Sequence, residues 1–380
     1  MSNICPACSG TAHAAIVYRQ RGVPVQSCLL PSTKAQALGV QRGEIELLNC
    51  RDCGLVFNRR FDPASQRFDA AYEETQGFSP LFRRFAIELG QGLNQRWHLA
   101  GKTVLEVGCG KGDFLAELCH RHGCRGIGID PAYDPDRRPQ HAGDQVRYEA
   151  RVFEREDIGL EADYLICRHT LEHIGPVGEF LDLIAQAARA GGVQEIFFDV
   201  PEAGRIFAEG AFWDIYYEHA NYFTAPALAQ AFIRAGFEVT GLRRLFHEQY
   251  LGLFARPADR APAAPGYPVE TIDSSTLNQN LAHWRDQLAN AAKPLVIWGS
   301  GSKGVAFLHG ADPDRQVAAA VDINPYRHGR CMPGTGQIIV APEELVALNP
   351  PTVVIMNPAY REEISAQLEK LDLRPRLACV

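Results

Sequence analysis

The segment VLEVGCGKGDFL, residues 104–115, constrains the possible fold more than any other part of the chain. An apolar, β-branched run leads into the pattern E-x-G-x-G-x-G, and an amphipathic helical pattern follows. Glycines permit a tight turn from strand to helix and let the backbone approach a ligand closely. A second strand, GIGID, ends at Asp130, where an acid binds ribose hydroxyls in nucleotide-binding folds. The segment predicts a Rossmann-like α/β fold with a nucleotide-type ligand at this turn.

Alternation between apolar runs and helical patterns organises most of the chain. It extends from about residue 80 to residue 256 and starts again at KPLVIWGSGSKG, residues 293–304, which indicates two parallel sheets flanked by helices. Between them RPADRAPAAPGYPVETI, residues 256–272, is rich in Pro and Ala and is typical of a linker. We therefore predict three domains, at residues 1–70, 71–256 and 257–380.

Two C-x2-C pairs lie near the N-terminus: CPAC contains Cys5 and Cys8, and CRDC contains Cys50 and Cys53. Each pair can present two thiolates from one tight turn, and two such turns complete a tetrahedral zinc site. Four thiolates leave no open coordination position, so the predicted Zn²⁺ is structural. The alternative, a set of buried free cysteines, is disfavoured because two such pairs in one short segment rarely arise by chance. Cys28 lies outside both pairs and is interpreted as a bystander.

Charge and hydropathy argue against several kinds of partner. The formal net charge is −7 without a block of basic residues, whereas nucleic-acid binding needs a concentrated basic surface. No apolar run reaches the roughly 18 residues that cross a bilayer, so no membrane contact is predicted. The first residues, MSNICPACSG, lack the order of a signal peptide. We therefore expect a cytoplasmic protein whose cysteines serve a role other than disulfides. These features do not predict an oligomeric state.

The pattern E-x-G-C-G-x-G resembles the cofactor loop of the class I S-adenosylmethionine-dependent methyltransferases. NAD fits less well because the loop reads G-x-G-x-G and not G-x-G-x-x-G. The segment ICRHTLEHI, residues 166–174, is similar to the fourth strand of that family and the stretch after it, which lines the cofactor. The resemblance implies that the glycines approach the methionine portion and that Asp130 binds the ribose. The implied cofactor-binding set is Glu106, Gly108, Gly110, Gly112, Asp130, Arg168 and His169.

The stretch YYEHANYF, residues 216–223, places Tyr216, Glu218 and His219 close together after the strand EIFFDVP. By composition alone it is typical of an aromatic core strand. A histidine with a pKa near neutrality suits a general base, and a neighbouring carboxylate would orient it. In an extended segment Tyr216 and Glu218 would share one face and His219 would point to the other, so the three side chains converge only at a bulge or turn. In class I methyltransferases this region covers the active site, which favours a catalytic loop.

Three parts follow one another along the chain: the four-cysteine module, a methyltransferase core with Y-x-E-H-x-x-Y-F, and a C-terminal α/β domain with VIWGSGSKG. Together they resemble the sugar C-methyltransferases of deoxysugar biosynthesis, which methylate carbon 3 of a nucleotide-linked 4-keto-6-deoxysugar. The resemblance implies that His219 is the general base, that Glu218 orients it and that Tyr216 lines the pocket. It also implies that His173 donates a hydrogen bond to the developing enolate. Tyr72 would belong to a segment that closes over the site.

The second glycine loop, GSGSKG at residues 299–304, is followed by a strand that ends at Asp322. Alone this pattern is typical of a dinucleotide site. In the resembled family the domain contributes to the nucleotide-sugar site instead. This implies that Ser300, Ser302 and Lys303 lie near the substrate diphosphate, held by helix-start N–H groups and an ammonium. A domain retained only for packing is the alternative.

Two features differ from the resembled family and leave the substrate open. FDAAYEETQGFS holds one tyrosine where the family has two or three, and NPAYREEI, residues 357–364, replaces the more usual ending. One alternative is methylation of oxygen, nitrogen or another carbon on a different small molecule. A second is methylation of RNA docked by the zinc module, which the acidic balance disfavours. A third is a catalytically silent protein that only binds the cofactor.

Overall fold

The computed structural model describes residues 4–10, 14–258 and 269–380. The predicted linker at residues 256–272 lies largely outside the described residues. The described strands form sheets of four, seven and five strands, which belong mainly to N-terminal, central and C-terminal regions of the chain. No helix in the described part of the chain is both long enough and apolar enough to cross a membrane.

The N-terminal region is a small antiparallel sheet with one short helix. Its elements are β1 (Ala14–Pro24), α1 (Lys34–Leu38), β2 (Arg42–Cys50) and β3 (Val56–Asn58). A tight turn between β2 and β3 presents Cys50 and Cys53. Gly54 closes this turn with a φ of 76°, which glycine adopts without strain, and its N–H donates to the Cys50 carbonyl at 2.8 Å. The local sequence therefore shapes one of the two cysteine turns.

The central region follows with α2 (Pro80–Trp97), β4 (Thr103–Val107), α3 (Asp113–His122), β5 (Arg125–Ile129), β6 (Val146–Glu149), β7 (Tyr164–Arg168), α4 (Val177–Ala190), β8 (Glu195–Pro201), α5 (Ala203–Glu209), β9 (Asn221–Tyr222), α6 (Ala225–Arg234), β10 (Phe237–Leu245) and β11 (Tyr250–Pro257). The seven-stranded sheet has the order β10-β11-β8-β7-β4-β5-β6. β11 runs antiparallel to both of its neighbours, and β4 to β8 pair in parallel. β7 is buried at every residue, as expected for a strand covered on both faces.

The strand order positions the site. β5 and β7 lie on opposite sides of β4, so the connections leaving β4 and β7 diverge at the carboxyl edge of the sheet. Open α/β sheets bind ligands in the crevice at such a switch point. The glycine loop after β4 and the segment after β7 both lie at this edge.

The C-terminal region is a second, fully parallel sheet with helices. Its elements are α7 (Ser275–Asn290), β12 (Leu295–Trp298), α8 (Ser302–Ala311), β13 (Val317–Val321), β14 (Ile338–Val340), α9 (Leu345–Leu348), β15 (Thr352–Ile355), α10 (Arg361–Lys370) and β16 (Arg376–Cys379). The strand order is β14-β13-β12-β15-β16. The predicted α/β class, with two Rossmann-like sheets, is confirmed.

Two features join the three regions. β9, which lies within the central region of the sequence, pairs with β3 and so becomes the fourth strand of the N-terminal sheet. One hydrophobic cluster contains residues from all three regions, including Leu47, Trp213 and Leu308, each 5% exposed or less. The stacked rings of Phe212 and Phe307, with centroids 5.9 Å apart, belong to the same cluster. Burial of shared apolar surface therefore holds the regions around a common cleft.

Candidate active site

A large cavity of about 1800 Å³ lies where the three regions meet. Its walls come from the segment before α2, the loops at the carboxyl edge of the central sheet, and the loop before α8. Sites for one small molecule usually measure about 300–1,000 Å³. This cavity therefore has room for a nucleotide-type cofactor together with a second ligand.

The first glycine loop forms one end of the cavity. Gly108, Gly110 and Gly112 all have positive φ, of 75°, 54° and 86°. The Gly110 N–H donates to Asp130 Oδ2 at 2.8 Å, and the N–H of Ala132 donates to Oδ1 at 2.6 Å. The acid at the end of β5 is thus held directly against the loop. The structure brings together the glycines and the acid that the sequence pattern singled out.

Arg168 ends β7 and His169 follows it, and both are held by Asp199, a fully buried acid near the end of β8. Arg168 Nε donates to Asp199 Oδ2 at 2.9 Å, and the guanidinium lies 4.2 Å from the Phe114 ring centroid. The His169 N–H donates to Asp199 Oδ1 at 3.1 Å, and His169 adopts a φ of 47°. Such left-handed backbone is strained for a residue with a side chain and persists where tertiary contacts hold it.

Several buried polar atoms around this loop lack a hydrogen-bond partner among the described residues. They include Glu106 Oε2, Arg168 Nη2 and His169 Nε2, and all three residues line the cavity. Burial raises the pKa of Glu106 to about 8, with Arg168 opposing the shift. Buried polar groups normally have partners. Acceptors and donors of this kind, beside a free crevice and the Asp130 carboxylate, fit an adenosyl cofactor with ribose hydroxyls and a charged methionine portion.

The stretch at residues 216–223 forms a turn and not a continuous strand. The His219 N–H donates to the Tyr216 carbonyl at 3.2 Å, and the rings of the two residues lie 4.0 Å apart. Tyr217 fixes the turn to the N-terminal region, because its hydroxyl donates to the Arg60 carbonyl at 2.9 Å and accepts from the Asp62 N–H at 3.0 Å. The turn that the sequence required for convergence is present.

The Glu218 carboxylate points to other partners than His219. It accepts hydrogen bonds from the Ser27 N–H at 3.0 Å, from the Ser27 hydroxyl, and from the Tyr72 hydroxyl at 3.0 Å. Burial raises its pKa, and these hydrogen bonds oppose the shift. The placement contradicts the prediction that the Glu218 carboxylate orients His219, because the side chains of these two neighbouring residues diverge in the turn. Glu218 and Tyr72 instead join the turn to the N-terminal region.

His173 is held by the same turn. Its Nδ1 lies 2.9 Å from the Glu218 carbonyl oxygen, which can only accept, so Nδ1 carries the proton. Burial lowers the pKa of His173 to about 4, so the ring is neutral and Nε2 is an acceptor. This contradicts the prediction that His173 donates a hydrogen bond to an enolate. The correction follows from a backbone carbonyl that no local pattern places there.

His219 is 3% exposed and lines the cavity. Its ring centroid lies 4.9 Å from that of His173, and its Nδ1 lacks a partner among the described residues. Burial lowers the pKa of His219 well below 6.5, and electrostatic interactions with His173, His169 and Lys303 act in the same direction. The ring is therefore a neutral imidazole at physiological pH.

Glu172 is the carboxyl group that the sequence reasoning missed. Ligand atoms of Glu172, His173 and His219 all lie within 4.8 Å of one another. Glu172 is 2% exposed, its Oε2 lacks a partner among the described residues, and burial raises its pKa to about 8. The available signal was its place beside His173 in HTLEH, within the segment assigned to the cavity.

Replacing Glu172 with glutamine is expected to change how stability depends on pH. The carboxyl pKa is about 8 in the folded protein and 4.5 ordinarily, so the unfolded chain loses this proton first. The contribution of Glu172 to the free energy of unfolding is therefore full and constant below pH 4.5. As the pH rises from 4.5 to about 8, this contribution falls by roughly 1.4 kcal/mol per pH unit. Glu172→Gln should therefore gain stability relative to wild type by that amount between about pH 6 and 7.

Denaturant unfolding at each pH measures this difference, and the exposed Glu179 on the following helix, changed to glutamine, is the matched control. A difference between Glu172→Gln and wild type that does not vary with pH would contradict the buried, protonated carboxyl.

The part of the cavity wall that the C-terminal region forms, called the C-terminal wall below, agrees with the sequence predictions only in part. Ser300 is fully buried and donates to Asp322 Oδ2 from both its N–H, at 3.0 Å, and its hydroxyl, at 2.5 Å. It therefore braces the loop and does not line the cavity, which contradicts its predicted place beside a diphosphate. Lys303 does line the cavity, but its ammonium pairs with Asp214 Oδ1 at 2.6 Å.

Ser302 lines the cavity at the start of α8, and its hydroxyl lies 2.6 Å from that of Ser27 and 3.5 Å from Cys28 Sγ. Cys28 lies outside the four-cysteine cluster, as predicted, and lines the cavity. Arg327, which the sequence reasoning did not identify, lies in the same wall, with Nη1 3.4 Å from the Ser300 hydroxyl. The N-terminal and C-terminal regions therefore meet at the cavity.

The four predicted metal ligands come together away from the cavity. Cys5 Sγ lies 3.5 Å from Cys53 Sγ, and Cys8 Sγ lies 3.7 Å from Cys50 Sγ. All four sulfurs lie within 4.8 Å of one another. Two C-x2-C turns facing each other at such spacing form a donor set that suits tetrahedral coordination of Zn²⁺. The predicted cysteine cluster is thus confirmed, and the bound ion stays a prediction.

The fold and the cavity define an α/β protein with a glycine loop that suits a nucleotide-type cofactor and a buried, neutral histidine in the wall of the same cavity. Residues 81–242 match a family model described as a methyltransferase domain, and residues 272–374 match one described as a C-methyltransferase C-terminal domain. The chain therefore carries a class I methyltransferase domain of the S-adenosylmethionine-dependent kind, followed by a domain found in C-methyltransferases. The predicted methyltransferase class is confirmed.

Among curated relatives, the ubiquinone biosynthesis O-methyltransferase of Salmonella arizonae is 33% identical over 127 residues, which is 32% of this chain and 51% of that protein. The chain spans about half the length of the curated relatives it matches. Among solved structures, the Burkholderia thailandensis 1,6-didemethyltoxoflavin-N1-methyltransferase is 20% identical with a TM-score of 0.37, covering 47% of this chain and 82% of that one. The Synechocystis magnesium protoporphyrin IX methyltransferase is 15% identical with a TM-score of 0.36, covering 47% and 84%. Structural similarity at TM-scores this low does not indicate the substrate.

Proposed function

We propose that this protein transfers the methyl group of S-adenosylmethionine to a carbon next to a ketone, on a nucleotide-linked 4-keto-6-deoxysugar. The observation that carries the proposal is the neutral His219 imidazole in the wall of the cavity between the cofactor loop and the C-terminal region. A carbon acid next to a ketone needs a base before it can act as a nucleophile. A neutral imidazole supplies that base. The matched C-methyltransferase C-terminal domain supports carbon as the acceptor.

The residues divide the work as follows. Bound S-adenosylmethionine supplies an electrophilic methyl group. His219 removes a proton from carbon 3, and the C–H electron pair forms the enolate of the 4-keto group. The enolate carbon would be the nucleophile for that methyl group, and S-adenosylhomocysteine would be the second product. The proton on His219 then passes to solvent, and His173 and Glu172 hold the ring in place.

The C-terminal wall is proposed to bind the nucleotide diphosphate. Ser302 lies at the N-terminus of α8, where N–H groups favour an anion, and Arg327 and Lys303 supply positive charge in the same wall. Ser300 has no direct role because it is fully buried against Asp322. The partner is thus a small molecule.

The four-cysteine cluster is proposed to hold one structural Zn²⁺. Four sulfur ligands would fill its coordination shell, so the ion would take no part in methyl transfer. Its role would be to hold the two N-terminal turns together, and through β3 and β9 to position the turn at residues 216–219.

A reaction in deuterated water tests the proposal. Protein, S-adenosylmethionine and a 4-keto-6-deoxysugar nucleotide are combined, and the sugar is analysed by mass spectrometry. We expect a gain of one methyl group, with solvent deuterium at the carbon next to the ketone in unreacted substrate. Exchange without methylation would retain His219 as the base and overturn the choice of sugar or nucleotide. If neither deuterium exchange nor methylation occurs, carbon methylation of this sugar class is overturned.

A second candidate is methylation of an oxygen on another small molecule. It is favoured by the Salmonella relatives, which are O-methyltransferases and match over 127 residues. The same neutral His219 would remove the proton of a hydroxyl group. Methyl transfer to a hydroxylated acceptor, without deuterium exchange into carbon, would select this candidate.

A further inference from the structure

Glu74 is a half-buried residue whose carboxyl group, with a fully buried Oε2, the proposed reaction has not used. It lies in the segment between Tyr72 and Ser79, which crosses the cavity between the central and C-terminal regions. The residues next to Glu74 in this segment contact both the C-terminal and the central region. Glu73 accepts from Asn324 Nδ2 at 2.8 Å and pairs with Arg137, and the Thr75 hydroxyl lies 3.3 Å from Asp113 Oδ2. The segment is thus held in place around Glu74.

The Glu74 carboxyl group lies directly over the first glycine loop. A Cβ atom added to Gly110 would stand 2.7 Å from Glu74 Oε1, so the carboxyl occupies the space above that glycine. Glu74 lines the cavity, and its Oε2 is buried without a partner among the described residues. A side chain from outside the Rossmann-like sheet therefore completes the wall at the loop.

Among the residues that the structure describes, no lysine or arginine forms an ion pair with Glu74. Asp130 and Glu73 add negative charge, and the nearby Lys111 ammonium opposes their effect. That ammonium, however, donates to the carbonyls of Ala70 at 3.0 Å and Ala132 at 2.8 Å. Burial raises the pKa of Glu74 to about 7. A buried carboxylate of this kind gains most from a positively charged ligand that also donates hydrogen bonds.

We propose that Glu74 binds the α-ammonium group of the methionine portion of S-adenosylmethionine. This assignment rests on the proposed function, since it places that cofactor at the loop. The cofactor carries two positive groups, the ammonium and the sulfonium. The ammonium has three N–H donors for a carboxylate, whereas the sulfonium has none. The carboxylate above Gly110 therefore selects the ammonium end.

Calorimetric binding of three ligands to the full-length protein tests the assignment. S-adenosylmethionine carries both positive groups, S-adenosylhomocysteine carries only the ammonium, and 5′-methylthioadenosine carries neither. For Glu74→Gln we expect the Kd of the first two to rise equally, by about 10- to 100-fold, as for loss of a charged hydrogen bond. The Kd of 5′-methylthioadenosine should stay within about twofold of wild type, because it lacks the methionine ammonium.

A matched control is Glu117→Gln on α3, which neutralises a carboxylate paired with Arg121 on the same domain. It should leave all three Kd values unchanged. Glu74→Asp, which keeps the charge, should weaken the first two ligands less than glutamine does, and thermal unfolding checks that both variants are folded.

Other outcomes overturn the assignment in distinguishable ways. Weaker binding of S-adenosylmethionine alone would place Glu74 at the sulfonium. Equal weakening of all three ligands in a folded variant would indicate that Glu74 only shapes the loop. Failure of the wild-type protein to bind any of the three would overturn the proposed function, and this assignment with it.

Discussion

Replacing His219 with glutamine is expected to reduce kcat by about 100- to 10,000-fold, the usual contribution of a general base. Glutamine approximates the length of histidine and can place an amide nitrogen near the position of Nε2, but it cannot take up a proton. His219 is not among the residues predicted to bind the cofactor, so the Kd of S-adenosylmethionine should remain within about twofold of wild type. Steady-state turnover and calorimetric binding measure the two quantities separately.

His173→Asn is the control for this prediction. The asparagine amide can still donate to the Glu218 carbonyl, as Nδ1 of His173 does at 2.9 Å, so the turn should keep its shape. If His219 is the base, this variant should retain far more activity than His219→Gln. The reverse order would assign the base to Nε2 of His173, and loss of cofactor binding in His219→Gln would indicate a structural role.

The pH dependence of the wild-type enzyme provides a second readout of the same prediction. Burial lowers the pKa of His219 well below 6.5, so the ring stays unprotonated as the pH falls through that value. We expect kcat/KM to lose activity on the acid side only below pH 6.5, and His219→Gln to lack this acid limb. An acid limb at or above the ordinary histidine pKa would contradict a buried, neutral base.

Loss of the metal at the four-cysteine cluster is the second large effect that we expect. Purified protein should contain one zinc ion per chain, and Cys53→Ser should lose it. Structural zinc sites contribute apparent binding free energies of about 10–16 kcal/mol, so the N-terminal region should unfold without the ion. β3 would then release β9, and with it the turn that carries His219. Metal analysis measures the loss of zinc, thermal unfolding measures the loss of stability, and turnover measures the effect on the turn that carries His219.

Cys379→Ser is the matched control, because this half-buried cysteine lies in the C-terminal sheet outside the cluster. It should keep its zinc, its stability and its activity. A Cys53→Ser variant that loses zinc but retains full turnover would show that the N-terminal sheet holds the catalytic turn without the ion. Wild-type protein free of zinc and fully folded would contradict a structural metal.

Local patterns in the sequence predicted several features of this protein well. The glycines at residues 108–112 have the positive φ values that their spacing in E-x-G-x-G-x-G required, and Asp130 meets the loop at the end of the next strand. The two C-x2-C pairs converge as their turns implied. These features depend on backbone conformations within a few residues, or on the fixed geometry of a strand, a loop and a helix, so one sequence is enough to predict them.

The orientation of side chains in the site could not be predicted in this way. Glu218 precedes His219 in the chain, yet its carboxylate contacts Ser27 and Tyr72, while Glu172 joins the histidines. Neighbours in a tight turn diverge, and which of them meet depends on the segments packed against the turn. The assignment of His219 as the base stays a prediction, since geometry alone does not measure proton transfer.

The sequence by itself determined the α/β class, the cofactor loop with its acid, and the cysteine cluster, because each carries a recognisable motif: a strand-loop-helix pattern for the first two and a pair of C-x2-C turns for the third. Which residues line the cavity was decided only by the tertiary structure. In the folded protein Ser300 is fully buried, Cys28 lies in the cavity wall, Nε2 of His173 is unprotonated and Glu74 lies over Gly110. The physical reason is that these positions result from packing between segments more than twenty residues apart in the chain, including the pairing of β9 with β3. Hydrophobic burial drives that packing without regard to sequence separation, and no local pattern encodes it.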